Sequence, residues 1–154
     1  MGNAEPFRRQ PQGRAAPRLE LQNLARITVS SEDPAYPCTA ALEESSGGWK
    51  AADDGPQTFN LSFYEPQTIR RIHVEFHEPE LTRTQEFVLR WSADEGRSYR
   101  EVVRQQFNFS APDTTRESED YVVELEGVTS LECYIIPDIS GGTSRASLAQ
   151  LWIE

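Results

Sequence analysis

With 154 residues, 37% of them hydrophobic, and a formal net charge of −10, the chain is long enough for one sizeable core and too short for two. Its apolar runs are only a few residues long, far below the roughly 20 that carry a helix across a bilayer, so no helical membrane span is expected. The acidic balance repels phosphate backbones, whose binding needs clustered Lys and Arg, and so disfavours nucleic acid as a partner.

Residues 1–18 set Arg8, Arg9, Arg14 and Arg18 against the single acid Glu5, so the remainder is more acidic than the whole. Gly2, Pro6, Pro11, Gly13 and Pro17 interrupt this stretch, and it lacks the apolar periodicity that would repay ordering it. A flexible tail is therefore expected over 1–24, with one folded domain over 25–154. Polar residues follow Arg9 where a secretory leader would carry its apolar segment, so the expected location is the cytoplasm. The two cysteines, Cys38 and Cys133, are too few for a disulfide scaffold or a thiolate zinc site. Two free thiols suit a reducing compartment, and one bridge is the alternative.

From Leu24 onward, short apolar alternations are broken by turn residues every ten to fifteen positions or so, the rhythm of antiparallel sandwiches. Strands are predicted over 26–30, 58–64, 68–77, 86–92, 99–107, 120–126, 131–137 and 147–153, making an all-β protein of about eight main strands. The clearest is 68–77, where Ile72, Val74 and Phe76 point to a core while Arg71, His73, Glu75 and His77 point to solvent. Glu65-Pro66, Asp94-Glu95-Gly96, Gly127 and Gly141-Gly142 supply the predicted turns. Residues 31–55 form a longer connection carrying Pro34, Pro37 and Ser45-Ser46-Gly47-Gly48, with a short helical turn predicted over 39–44. Long ordered loops on a rigid sandwich are where binding sites usually lie.

The order of several loose motifs resembles the coagulation factor V/VIII type C, or discoidin, family of galactose-binding-like jelly rolls. These motifs are Ser30-Ser31, a loop with Ala40, Ala41 and Trp49, then Phe59-Asn60-Leu61-Ser62-Phe63, Pro66 and Thr68-Ile69-Arg70-Arg71-Ile72. Phe87 to Ser92 then leads into Asp94-Glu95-Gly96-Arg97-Ser98-Tyr99, similar to the family's strand, S-x-D-G turn and aromatic with one residue inserted. Tyr134-Ile135-Ile136-Pro137, a Gly-rich loop and 146–153 close the chain. The resemblance implies a jelly-roll β-sandwich that binds sugars, phospholipid head groups or proteins through loops at one end. It also implies a calcium ion in some members, with Asp53 or Asp54 as the loop acid, although the position of the family's last-strand Glu holds Gln150. A fainter similarity over 38–54 points to the amino-terminal domain of the scaffold protein of DNA single-strand break repair.

The ligand-binding candidates are Tyr36, Trp49, Arg83, Phe109 and Arg145. Tyr36 and Trp49 either stack on a sugar face or pack beneath the loop. Phe109 is expected at an exposed loop tip. Arg83 and Arg145 either converge on hydroxyls or a carboxylate, or form surface ion pairs. The metal candidates are Asp53 and Asp54, which alternatively make an Asp-Gly turn. His73 and His77 are two strand steps of roughly 6.6 Å apart, too far to share one ion. No nucleophile elbow, phosphate-cradling loop or His-Glu-x-x-His sequence occurs, so a non-catalytic module is expected. Its partner would be a carbohydrate or small ligand, with another protein as the alternative and a repair-scaffold role as the third reading.

Overall fold

A computed structural model describes residues 17–44 and 47–154; of the tail predicted over 1–24, residues 1–16 lie outside them. Among the described residues eight strands form: β1 (Ala25–Val29), β2 (Trp49–Asp54), β3 (Gln57–His77), β4 (Arg83–Ser92), β5 (Arg100–Phe109), β6 (Arg116–Ile136), β7 (Arg145–Leu148) and β8 (Gln150–Ile153). A four-residue helix α1 (Leu21–Leu24) precedes them, and the helical turn predicted in the long loop is a 3-10 turn at Cys38–Leu42.

The number of strands matches the expectation for a different reason. Glu65-Pro66 and Gly127 do not end their strands, because the two bends face one another. Gln67 pairs with Val128, and the β3–β6 ladder turns the corner through successive register shifts. Each 21-residue strand therefore contributes to both layers of the sandwich. One layer orders β1, the first half of β3, the second half of β6, β4 and β5; the other orders β8, the second half of β3 and the first half of β6. Inward residues switch from odd numbers (Phe59, Leu61, Phe63) to even (Ile72, Val74, Phe76) across the bend, as the register shifts require. The predicted strand 147–153 is two strands split at Ala149: β7 pairs with β2 in a separate ribbon, and β8 pairs with β3.

One core fills the space between the layers, and the Phe76 and Phe87 rings meet across it at 5.0 Å. The domain begins earlier than residue 25. Leu19 donates its amide to the Ile153 carbonyl at 2.8 Å, and Leu21 is buried in the core cluster. Cys38 and Cys133 are both free thiols. Burial pushes the Cys38 thiol up to about 11, with Glu32 adding to the effect, so it is no ready nucleophile. Among the described residues no helix is long and apolar enough to cross a membrane.

Candidate functional site

The end of the sandwich where β1 stops gathers the long loop, the β2–β7 ribbon and residues 78–82, 110–115 and 137–144. Serines lace the long loop down. The Ser30 and Ser31 hydroxyls donate to the buried Gln57 Oε1 at 2.6 and 2.8 Å, and Ser31 Oγ accepts the amides of Ala52 and Asp53. Asp33 then builds an Asx turn, its Oδ1 accepting the Ala35 amide at 2.9 Å, and the Tyr36 amide donates to the Asp33 carbonyl at 2.8 Å. Backbone bonds from Asp33 to Lys50 (2.9 Å) and from Lys50 to Tyr36 (3.2 Å) fix this turn against β2.

The result is a rigid cluster on a solvent-facing platform. Lys50 Nζ lies 4.4 Å above the centroid of the half-buried Tyr36 ring, and Arg145 Nη1 lies 3.5 Å from Asp33 Oδ2. Arg145 also sits opposite Asp54 in the ribbon, and the Gly55 amide donates to Ser144 at 3.1 Å. The cluster offers one aromatic face, two cationic donors and carboxylate acceptors within a small area.

Two of the seven candidates named from sequence, Tyr36 and Arg145, come together here. Lys50 and Asp33 were missed, although Asp33-Pro34 is a legible turn signal and Lys50 is the only lysine. Trp49 is fully buried; its indole donates to the Ser31 carbonyl at 3.1 Å and its ring meets Phe59 edge-on at 5.5 Å, so it anchors the loop from below and presents no face to a ligand. Phe109 was expected at an exposed loop tip, but it is 1% exposed at the end of β5, against Phe107 at 5.0 Å.

Arg83 lies at the same end as Arg145, yet it is 5% exposed. Its Nε donates to Glu78 Oε1 at 2.8 Å, its Nη1 to the Pro137 carbonyl at 2.5 Å, and its guanidinium stacks 4.8 Å over Phe109. It pins two loops together and offers nothing to a ligand. Glu78 lies below its usual range, because the Arg83 bond and the amides of Glu80 and Leu81 outweigh its burial. Asp53 and Asp54 are both exposed at the end of β2, where a register shift between Lys50 and Asp54 breaks the alternation of the strand. Among the described residues no group of three or more His, Cys, Asp or Glu is placed to hold a metal.

Neither a family model nor a curated protein matches the chain. Solved structures do. One is the family 32 carbohydrate-binding module of NanJ from Clostridium perfringens in complex with galactose, 12% identical, covering 86% of this chain and 95% of its own, with a TM-score of 0.62. Another is the corresponding module of AlyQ in complex with 4,5-unsaturated mannuronic acid, 14% identical, covering 90% and 98%, with a TM-score of 0.66. A third, from a Clostridium perfringens protein in complex with GalNAc-β-1,3-galactose, is 17% identical, covering 89% and 99%, with a TM-score of 0.63. The fold is therefore the galactose-binding-like jelly-roll β-sandwich that these modules share, and at these identities the likeness is one of fold.

Proposed function

We propose that the chain is a non-catalytic module that binds carbohydrate through Tyr36, Lys50, Asp33 and Arg145. The observation that carries this reading is the half-buried Tyr36 ring, held on a laced loop beside two cations and a carboxylate. An aromatic face suits the C–H face of a pyranose, while guanidinium, ammonium and carboxylate groups suit its hydroxyls. The sugars in the three similar structures support a polyhydroxylated ligand and define the panel to test.

Isothermal titration with galactose, GalNAc-β-1,3-galactose and unsaturated mannuronic acid tests the proposal. Tyr36→Ala and Arg145→Ala are each expected to weaken binding by about tenfold or more. Unchanged affinity in both variants would reject the assignment. A second reading, a protein-binding surface at this end, draws on Leu81 and Ile139, which are 49% and 50% exposed on neighbouring loops. A protein partner whose binding is lost in Leu81→Ser and kept in Tyr36→Ala would favour it.

A further inference from the structure

The outer face of the β1-containing layer carries a polar trough at the opposite end of β1 from the Tyr36 cluster. Strand register explains why it is there. Arg26 pairs with Ser62, Ser62 with Ser130, and Ser130 with Ser92, so three serines in a row cross three neighbouring strands. Side chains this short leave a floor that the next row, Asn60, Glu132 and Arg90, does not fill. The resulting cavity of about 370 Å³ is lined by Arg26, Asn60, Ser62, Glu95, Tyr99 and Glu132 among others. That volume lies in the range of small-ligand sites, about 300–1,000 Å³.

The lining is pre-ordered. Tyr99 Oη and Ser130 Oγ are 3.0 Å apart, Ser130 Oγ donates to Asn60 Oδ1 at 3.0 Å, and Asn60 Nδ2 donates to Ser62 Oγ at 2.9 Å. Glu132 is fixed by Arg90 at 2.5 Å. One N–H of the Asn60 amide remains for a ligand. The Arg26 guanidinium has no hydrogen-bond or ion-pair partner among the described residues.

A second, independent observation sits on the rim. Glu95, the residue inserted into the S-x-D-G-like turn, has φ +63°, the left-handed region that residues other than Gly and Asn avoid. The turn does not need this side chain. Ser92 Oγ accepts the Gly96 amide, Asp94 accepts from Ser92 and from both the amide and the hydroxyl of Ser98, and the Glu95 backbone amide donates to Thr129 Oγ1 at 2.8 Å. These bonds hold the Asp94 carboxyl well below its usual range. A glycine at 95 would keep all of them without strain, yet a carboxylate stands there over the trough.

From this geometry we infer that the trough is a second ligand site, taking one ring of a neutral sugar. Glu95 and Glu132 accept hydroxyl protons, Arg26 and Asn60 donate to hydroxyl oxygens, and Tyr99 supplies apolar edge contact. With Glu132 paired to Arg90, Glu95 and Arg26 balance one another and leave the trough without net charge, which suits a neutral ring better than a uronate. The site shares no residue with the Tyr36 cluster, so it stands or falls independently of the function proposed above.

The test is an amide-resolved NMR titration of the full chain with methyl glycosides of galactose, N-acetylgalactosamine, glucose and mannose, and with mannuronate. At least one neutral sugar is expected to shift Asn60, Ser62 and Ser130 saturably, and to do so equally in Tyr36→Ala. In Glu95→Gly the melting temperature is expected to hold or rise, while trough affinity falls by about tenfold. Three results would each overturn the inference: no saturable shift at these residues with any neutral sugar, shifts there with mannuronate alone, or Glu95→Gly binding within about twofold of wild type.

Discussion

Replacing Glu117 by Gln should flatten the pH dependence of stability. Glu117 lies on the inner face of the first half of β6 and is 1% exposed. Gln85 Nε2 donates to its Oε1 at 3.3 Å, and its Oε2 has no donor in reach. Burial first, and the neighbouring Glu119 second, hold the carboxyl well above neutrality, opposed by the Gln85 bond. Protonated, Oε2 becomes a donor toward Glu119. Tyr121 and Cys133 face the same space, and both are pushed up by burial and by nearby carboxylates, so both stay neutral and add no charge beside Glu117.

The sign follows from linkage. The folded state holds a proton that the unfolded state releases above the ordinary Glu value of 4.5, so stability contributed by this group is greatest at low pH and falls as pH rises toward the raised folded value. One proton is worth about 1.4 kcal/mol per pH unit, or roughly 3–5 °C in melting temperature for a domain of this size. Melts of wild type and Glu117→Gln between about pH 5.5 and 8 should therefore diverge, the variant gaining up to about 1.4 kcal/mol per unit relative to wild type. Gln keeps the acceptor for Gln85 and adds N–H donors toward Glu119. Parallel pH profiles in the two proteins would refute the assignment of a buried, protonated Glu117.

Three further substitutions test how the loop end is built. Arg83→Met should cost about 3–5 kcal/mol, because Glu78 loses its ion-pair partner and the Pro137 carbonyl its donor. Hydrogen exchange at the Ile139 amide, bonded to the Thr84 carbonyl at 2.9 Å, should accelerate with it. Gly48→Ala should be destabilising by about 2 kcal/mol or more, since the new Cβ would lie 2.5 Å from the Leu148 carbonyl oxygen at φ +78°. Gly141→Ala, where nothing lies within 4 Å, should cost only its backbone strain of about 1–2 kcal/mol by chemical denaturation.

The strand pattern was legible wherever alternation was clean: Ile72, Val74 and Phe76 are buried as predicted, and the long loop holds its short helical turn. The bends at Pro66 and Gly127 were not legible as bends. Local turn chemistry at each site is real, but cross-strand pairing between Gln67 and Val128 keeps both chains in one ladder, and no single segment shows that. Residues 19–24 read as tail because their few apolar positions acquire partners only in the folded domain, Leu19 from β8 and helix α1 from β1, β3 and the 3-10 turn. At the loop end, Tyr36 and Arg145, both named from the sequence, lie beside Lys50 and Asp33. Trp49, Phe109 and Arg83 were read as ligand contacts because aromatic and arginine side chains serve binding and packing equally well, and only burial separates the two uses.

The shared strands β3 and β6 also govern how the chain reaches this state. Neither layer exists until residues 57–62 find 130–135 and residues 67–77 find 116–128. Pairings so distant in sequence carry a large loop-closure cost before any contact rewards it, which places the chain among the slow folders on the millisecond-to-second scale. Because the same two strands run through both layers, neither layer can melt and leave the other intact, and the sandwich should unfold as one cooperative unit.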